Sequence, residues 1–494
     1  MKISQTIIDR LSQEKIGVLG LAREGLSTYH FLRKILPKQT LTLIDEQPLK
    51  NFAQVTQQEF SHDPHLNLQL GANSSTSPST LTLLFKTPGI PATMPTIQQA
   101  LDQGTRLSSN LQLFLEIINE WQQLNQQKLI ITIDGHSSTL LEPITIGVTG
   151  TKGKSTTSAV IHHVLQTNGC NTLFVGNIGQ PALDKIDQIK SNTKLVLELS
   201  AQQLAQLEIS PDIVVIQKVT SEHLDYYQNT QAYIDSKKPI AIYQKVNQYI
   251  IYDPQWPHTR EIAQLSQAKK LTYDLLNKAK NDALVYIKDY KLIFRDINQE
   301  IVCETNELPL LGEHNLANVA PAIIIGKMLG FKTLAIAAAL KNFQPLPHRL
   351  EKIAVKNNVI YINDSLATMP DAVISALSCF NDQIIILLAG GHERTQDLEP
   401  LAEKILASNV KAIALFPSTG ERLWQTIEEK NGQLKNKKSI AHQSANSMAE
   451  AMRFVAQHAQ SGDVVLLSPG AASFGVFKNY QDRGEQFKQA VEQL

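Results

Sequence analysis

The chain has 494 residues, too many for one hydrophobic core, and its length predicts about three domains. Its 43% hydrophobic content is that of a globular protein rather than a disordered one. Its 46 basic residues balance 46 acidic ones, so no overall field draws it to nucleic acid or an acidic membrane.

From the N-terminus, Lys15-Ile16-Gly17-Val18-Leu19-Gly20 predicts a strand running into a tight turn. Leu21 to Ser27 then opens a helix that carries Leu26, Tyr29, Leu32 and Ile35 inward. Leu41 to Asp45 predicts a second strand with an acidic end, which completes the outline of a nucleotide-binding βαβ unit. The glycine spacing is not that of the dinucleotide fingerprint, and an ordinary βαβ turn stays open on these residues alone. Leu81 to Phe85 predicts another strand, followed by the turn Thr87-Pro88-Gly89-Ile90-Pro91 at its carboxyl end, where open α/β sheets bind ligands. Asn110 to Trp121 reads as a helix. Residues 122–141 read as a boundary region with one extra hairpin.

Ile144 to Thr149 is a β-branched run that stops at Gly150-Thr151-Lys152-Gly153-Lys154-Ser155-Thr156. A helix follows, with Val160, Ile161, Val164 and Leu165 on one face and Gly169 as its stop. A glycine-rich loop opening a helix offers backbone N–H groups and a dipole to an anion. Lys154 adds a charge for outer phosphates and Ser155 a hydroxyl for Mg²⁺. The common spelling places a glycine where Val148 stands. Even so, the strand before and the helix after favour an ATP loop over a surface turn.

Thr172 to Val175, Lys194 to Leu199 and Ile213 to Val219 predict strands, the second carrying Glu198 and the third leading to His223. If they flank the loop strand, Glu198 and His223 reach the phosphate end together, although a lone histidine is more often structural. Tyr233 to Ile240 interrupts a helical pattern with Lys237, Lys238 and Pro239. Short strands are expected over Tyr286 to Cys303. Gly312 to Asn318 precedes an apolar helix ending at Gly330, where asparagines either cap the helix or hold an adenine.

From Leu346 a third α/β unit begins, with strands over Val359 to Ile362, Gln383 to Leu388, Ala412 to Phe416 and Val464 to Leu467, and helices between. The fold class is thus α/β in three domains: residues 1–141 Rossmann-like, 142–345 a phosphate-loop parallel sheet and 346–494 Rossmann-like. The first fifteen residues include Asp9, Arg10 and Glu14 and show no signal-peptide core; no apolar run approaches the roughly 20 residues that span a bilayer. Cys170, Cys303 and Cys379 are scattered and odd in number, so a cytoplasmic chain with reduced thiols is expected.

The set Thr149-Gly150-Thr151-Lys152-Gly153-Lys154-Ser155-Thr156, Gly176-Asn177-Ile178-Gly179, Glu198-Leu199-Ser200, His223-Leu224-Asp225, Pro347-His348-Arg349, Asn363-Asp364-Ser365 and Leu467-Ser468-Pro469 resembles the Mur ligases in order and spacing. These ATP-dependent ligases build the peptide of cell-wall precursors, and the likeness is to the members that add glutamate to UDP-MurNAc-L-alanine. The resemblance implies that Lys154 contacts the β- and γ-phosphates and that Ser155 and Glu198 hold one Mg²⁺. It implies a second Mg²⁺ organised by Glu198, His223 and a carbamylated Lys237. Asn315, Asn318, Arg349 and Asp364 would meet adenine, phosphate and ribose, and Asn177 the substrate's acyl end. Leu21, Arg23, Asp45 and Gly89 would hold the UDP moiety, and Thr368, Arg394, Ser473 and Tyr480 the glutamate.

Arg394 stands where many relatives have lysine, and Leu366 where the pattern is Asp-Ser-Lys-Ala-Thr. The lost cation leaves D- and L-glutamate both open. A monomer is expected, with substrates divided among three domains and hinges near residues 142 and 346. The sibling folylpolyglutamate synthase is the enzymatic alternative, and a UDP-sugar-binding regulatory protein the non-enzymatic one.

Overall fold

The computed structural model describes residues 3–71, 81–176, 180–220, 226–275 and 283–494. The chain divides into two compact units, Met1–Glu307 with Ala317–Asn342, and Leu308–Leu316 with Phe343–Leu494.

The first unit opens with a five-stranded parallel sheet of β1 (Ile16–Leu19), β2 (Leu41–Asp45), β3 (Leu66–Leu70), β4 (Leu83–Lys86) and β5 (Arg106–Ser108), in the order β3-β2-β1-β4-β5. The expected extra hairpin forms as β6 (Lys128–Ile133) and β7 (His136–Leu141), reached by a helix, Asn110–Asn125, one turn longer than the sequence suggested. Its inward residues Ile131, Ile133 and Leu140 are fully buried while Ile130 faces solvent, the alternation that a half-buried hairpin requires.

The second sheet holds β8 (Ile144–Thr149), β9 (Thr172–Gly176), β10 (Lys194–Glu198), β11 (Ile213–Ile216), β12 (Tyr249–Tyr252), β13 (Lys269–Asp274), β14 (Val285–Lys288), β15 (Lys291–Arg295) and β16 (Gln299–Glu304). Its order is β16-β15-β14-β13-β12-β11-β8-β10-β9, parallel from β9 to β14 with an antiparallel meander at the far edge. Every residue of β8 is buried, as a continuous β-branched run between two helical layers demands. One apolar core joins the two sheets. It takes in Leu32, Phe114 and Ile117 from the first and Leu183, Leu204 and Val214 from the second. Asp212 ties the same seam by accepting from Thr145 N (2.9 Å) and Thr145 Oγ1 (2.7 Å) on β8 and from Gln122 Nε2 (3.0 Å).

The second unit is built on β17 (Glu351–Lys356), β18 (Val359–Asn363), β19 (Ile385–Gly390), β20 (Val410–Phe416), β21 (Ala441–Ser444) and β22 (Val464–Leu467), ordered β17-β18-β22-β19-β20-β21. All neighbours are parallel except β17, an antiparallel edge that its charged, alternating sequence did not reveal. Two apolar layers cover its faces, one around Val373, Leu377 and Leu401, the other around Phe454, Phe477 and Phe487.

Candidate active site

β8 lies between β10 and β11, so the strand carrying Glu198 and the strand leading into Gln217 do flank the loop strand. His223 and Asn177 lie outside the described residues. The loop is pinned from both sides. Thr149 Oγ1 donates to Leu199 O (2.9 Å), Gln217 N to Thr149 O (2.8 Å) and Thr151 N to Lys218 O (2.8 Å). Thr151 Oγ1 also exchanges hydrogen bonds with Thr220, donating to its carbonyl (3.1 Å) and accepting from its amide (2.8 Å).

Gly153 starts the helix Lys154–Thr167 at φ 87°, a left-handed conformation that favours glycine. A Cβ there would sit 2.4 Å from Asn318 Oδ1, which already accepts from Thr157 Oγ1 (3.2 Å). Gly153→Ala should therefore strain the backbone by about 1–2 kcal/mol and push Asn318 from the loop. Calorimetric titration with ADP should show affinity reduced at least about tenfold. Unchanged affinity would remove the loop from the nucleotide site.

Lys154 begins this helix, and its Nζ donates to Gly150 O and Thr151 O, both at 2.9 Å. Ser155 Oγ donates to Glu198 Oε1 at 3.0 Å, with the carboxylate only 1% exposed. Lys152 is exposed, whereas Thr156 is buried. Lys237 is 0% exposed, and its Nζ reaches Gly150 O (3.2 Å) and Thr149 Oγ1 (3.5 Å) over the Tyr233 ring (4.7 Å to its centroid). Tyr233 OH in turn donates to Thr151 Oγ1 (3.1 Å). Lys238 instead faces solvent and pairs with Asp235 (2.7 Å) and Glu261 (3.0 Å), so of the adjacent lysines it is Lys237 that meets the loop. Lys154, Lys237 and Tyr233 line one cavity of about 310 Å³ with Pro88, Gly89 and Ser200. The Pro-Gly turn after β4 thus opens onto the phosphate loop.

At the end of β1, Gly20 N donates to Ile44 O (2.8 Å) and Leu21 N to Asp45 Oδ2 (2.5 Å). Leu21 and Asp45 therefore shape this turn together, with the Leu21 side chain in the core and Arg23 and Gly89 at the surface.

In the second unit the predicted residues come from the carboxyl ends of the adjacent strands β18, β22 and β19, where a doubly wound sheet opens its crevice. Thr368 follows β18, Ser473 follows β22 and Arg394 follows β19. The loops are laced together: Gly470 N donates to Ala367 O (2.8 Å), Gly390 N to Pro469 O (2.7 Å) and His392 N to Ala472 O (2.7 Å). Glu393 anchors the third loop by accepting from Arg422 Nε (3.1 Å) and Nη2 (2.8 Å), which leaves Arg394 exposed. Tyr480 packs edge-on against His348, with ring centroids 5.9 Å apart. Asn315 Nδ2 donates to Leu311 O (2.6 Å), so it fastens the start of its own helix.

Asp364 accepts from Ser468 Oγ (2.8 Å) and Leu350 N (3.2 Å). Burial pushes its carboxyl up to about 7, against the pull of these bonds and of Arg349. An unfolded carboxyl titrates near 4, so the folded chain holds an extra proton between those values and loses stability as pH rises from about 4 to about 7. Asparagine keeps both contacts, since its amide can donate to Ser468 Oγ. Asp364→Asn should therefore flatten the fall in melting temperature across that pH range; an unchanged slope in thermal melts would refute the assignment.

Three residues at these sites escaped the sequence reading. Gln217 donates to Thr157 Oγ1 (2.9 Å) and Ala317 O (3.0 Å) and lies under Gly150; its only sequence signal is a polar residue closing an apolar strand. Arg483 is 0% exposed and donates to Ser365 Oγ (3.0 Å), Ser365 O (2.9 Å) and Ala471 O (3.2 Å), holding two of the laced loops. Lys86 closes the Thr87–Ile90 turn, and its signal is a cation ending an apolar strand.

A pinned phosphate loop at the carboxyl end of a parallel sheet defines an α/β nucleotide-binding protein. Residues 148–326 match the family model described as the Mur ligase middle domain, and residues 348–470 the one described as the Mur ligase, glutamate ligase domain. The chain belongs to the Mur ligase family. It is similar to the UDP-N-acetylmuramoylalanine–D-glutamate ligase of Clostridium tetani, 28% identical over 483 residues that cover 97% of each chain. It is also similar to the ligase of the same name from Acetivibrio thermocellus, 29% identical over 490 residues covering 98% of this chain and 97% of that one. Its fold is similar to that of the MurF ligase from Thermotoga maritima in complex with ADP, with a TM-score of 0.57, 16% identity and coverage of 98% of this chain and 97% of that one.

Proposed function

We propose that the chain is an ATP-dependent ligase that joins D-glutamate to UDP-N-acetylmuramoyl-L-alanine in peptidoglycan precursor synthesis, working as a monomer in the cytoplasm. The observation that carries this reading is the cavity of about 310 Å³ where Lys154 and Lys237 meet the Pro88-Gly89 turn of the N-terminal sheet. Full-length likeness to relatives named as D-glutamate ligases supports the choice of substrates.

In this mechanism the substrate's terminal carboxylate oxygen attacks the γ-phosphorus, the bond to the β-phosphate oxygen breaks, and ADP leaves. The glutamate amine then attacks the acyl carbon, loses a proton and expels phosphate, leaving an amide. Lys154 steadies charge on the transferring phosphoryl, and the Gly150–Gly153 backbone cradles the phosphates. Ser155 and Glu198 form a buried hydroxyl–carboxylate pair of the hard-oxygen type that Mg²⁺ takes, and a carbamate on Lys237 and the His223 imidazole would supply further donors. Bound Mg²⁺ would neutralise phosphate charge and orient the triphosphate. Asp45 and the Leu21 turn hold the UDP end, while Thr368, Arg394, Ser473 and Tyr480 hold the glutamate.

The test is phosphate release from ATP with UDP-MurNAc-L-alanine, run separately with D- and L-glutamate. Release with the D-enantiomer is expected. Release with only the L-enantiomer would favour the second reading, which rests on Leu366 replacing a lysine. No release with either would sink the ligase assignment.

A further inference from the structure

Lys86 ends β4 with its side chain 3% exposed, and no role in the proposed chemistry uses it. Its Nζ donates to Thr87 O (2.9 Å) and Ile90 O (2.5 Å), the two ends of the Pro88-Gly89 turn. That turn has a second anchor, the hydrogen bond from Tyr226 OH to Pro88 O (3.0 Å). Glu24, in the first turn of the helix Arg23–Ile35, supplies the facing charge. Its Oε1 also accepts from Gln203 Nε2 (2.7 Å). Gln203 closes a capping box with Ser200, and Ser200, Ala201 and Gln202 form the opposite lip of the cavity. A polar chain, buried at Lys86 and Gln203 and half-buried at Glu24 and Ser200, thus runs from the turn through the facing charges of Lys86 and Glu24 and on through Gln203 to Ser200.

We infer that Lys86 is a positioning residue: as a cation it sets the Pro88-Gly89 turn against the Ser200–Gln202 lip and so seats the acyl end of the UDP-linked substrate. This rests on the ligase reading and assigns a residue that reading leaves idle. Burial pulls the Lys86 ammonium down to about 8, with Glu24 acting in the opposite direction. Burial raises the Glu24 carboxyl, while Gln203, Arg23 and Lys86 lower it. The other side chains around the small void beside Lys86, those of Val18, Thr28, Phe85, Thr87 and Asn110, carry no charge. Deprotonation near pH 8 would weaken both charge-assisted hydrogen bonds and leave Arg23 as the cation acting on Glu24. Substrate capture should therefore fade in mildly alkaline solution while chemistry persists.

The experiment is steady-state kinetics of the full chain with UDP-MurNAc-L-alanine, glutamate and ATP across pH. Lys86→Met should raise KM for the UDP substrate about tenfold or more, with kcat and KM for ATP within about threefold. It should also erase the alkaline limb of kcat/KM for that substrate. Lys86→Arg should restore KM and carry the limb upward, because a guanidinium stays charged. Glu24→Gln keeps the Gln203 contact and removes the charge that supports the cation, so its limb should move to lower pH. That variant keeps the test decisive should Lys86→Met fail to fold. An unchanged KM in Lys86→Met, equal loss in both substrates' KM values, or an unmoved limb in Glu24→Gln overturns the inference. A wild type that turns over the UDP substrate beside such variants leaves the ligase reading standing. A wild type that neither binds nor turns over that substrate overturns both.

Discussion

Lys154→Ala should lower turnover on the order of 10²–10³-fold, the scale for removing one preorganised charge from a phosphoryl-transfer site. The ammonium now spans Gly150 O and Thr151 O, each at 2.9 Å, so it is held at the mouth of the loop before any phosphate arrives. Alanine keeps the helix, since position 154 is its first residue and alanine has the highest helix propensity. The melting temperature should therefore move little while phosphate release collapses. Single-turnover phosphate release would separate the two effects. A rate within tenfold of the parent would remove Lys154 from the chemistry.

The second large effect is expected at Lys237. Lys237→Ala should cost roughly 10²-fold or more in turnover, and Lys238→Ala less than about twofold. The contrast follows from placement. Lys237 is buried against Gly150 O and Thr149 Oγ1, whereas Lys238 pairs with Asp235 and Glu261 at the surface. A carbamate at Lys237 adds a sharper expectation: millimolar formate or acetate should restore part of the Lys237→Ala rate, and depletion of carbon dioxide should slow the parent. Equal losses in the two lysine variants would mean that burial beside the loop carries no functional weight. Thermal melts belong beside the kinetics, because truncating a buried lysine also leaves a cavity.

Much of this was legible from local pattern. The β-branched run of β8 and the 3.6-residue stripe of Val160, Ile161, Val164 and Leu165 reported burial directly, since each repeats at its own element's period. The Pro-Gly turn after β4 and the hairpin at Gly135 were likewise announced by residues with few alternative conformations. Edge elements were hidden. β3, β17 and β21 are short or polar, and half-exposed strands carry weak hydrophobic signals. Gln217, Lys86 and Arg483 were invisible as a group, because each is a polar residue whose role comes from partners 40 or more positions away, or from a turn it caps, and not from its neighbours' spacing.

By itself, then, the sequence determined a strand, a glycine-rich loop and a helix that together grip an anion, because propensity, periodicity and the left-handed tolerance of glycine act within a dozen residues. Only the tertiary structure decided that β10 and β11 are the strands flanking β8, that Ser155 meets Glu198 at 3.0 Å, and that Lys237 rather than Lys238 reaches the loop. Those outcomes depend on the order in which strands pair and on which side chains the shared core leaves room for. Such long-range choices minimise exposed apolar surface over the whole unit and leave no trace in local composition.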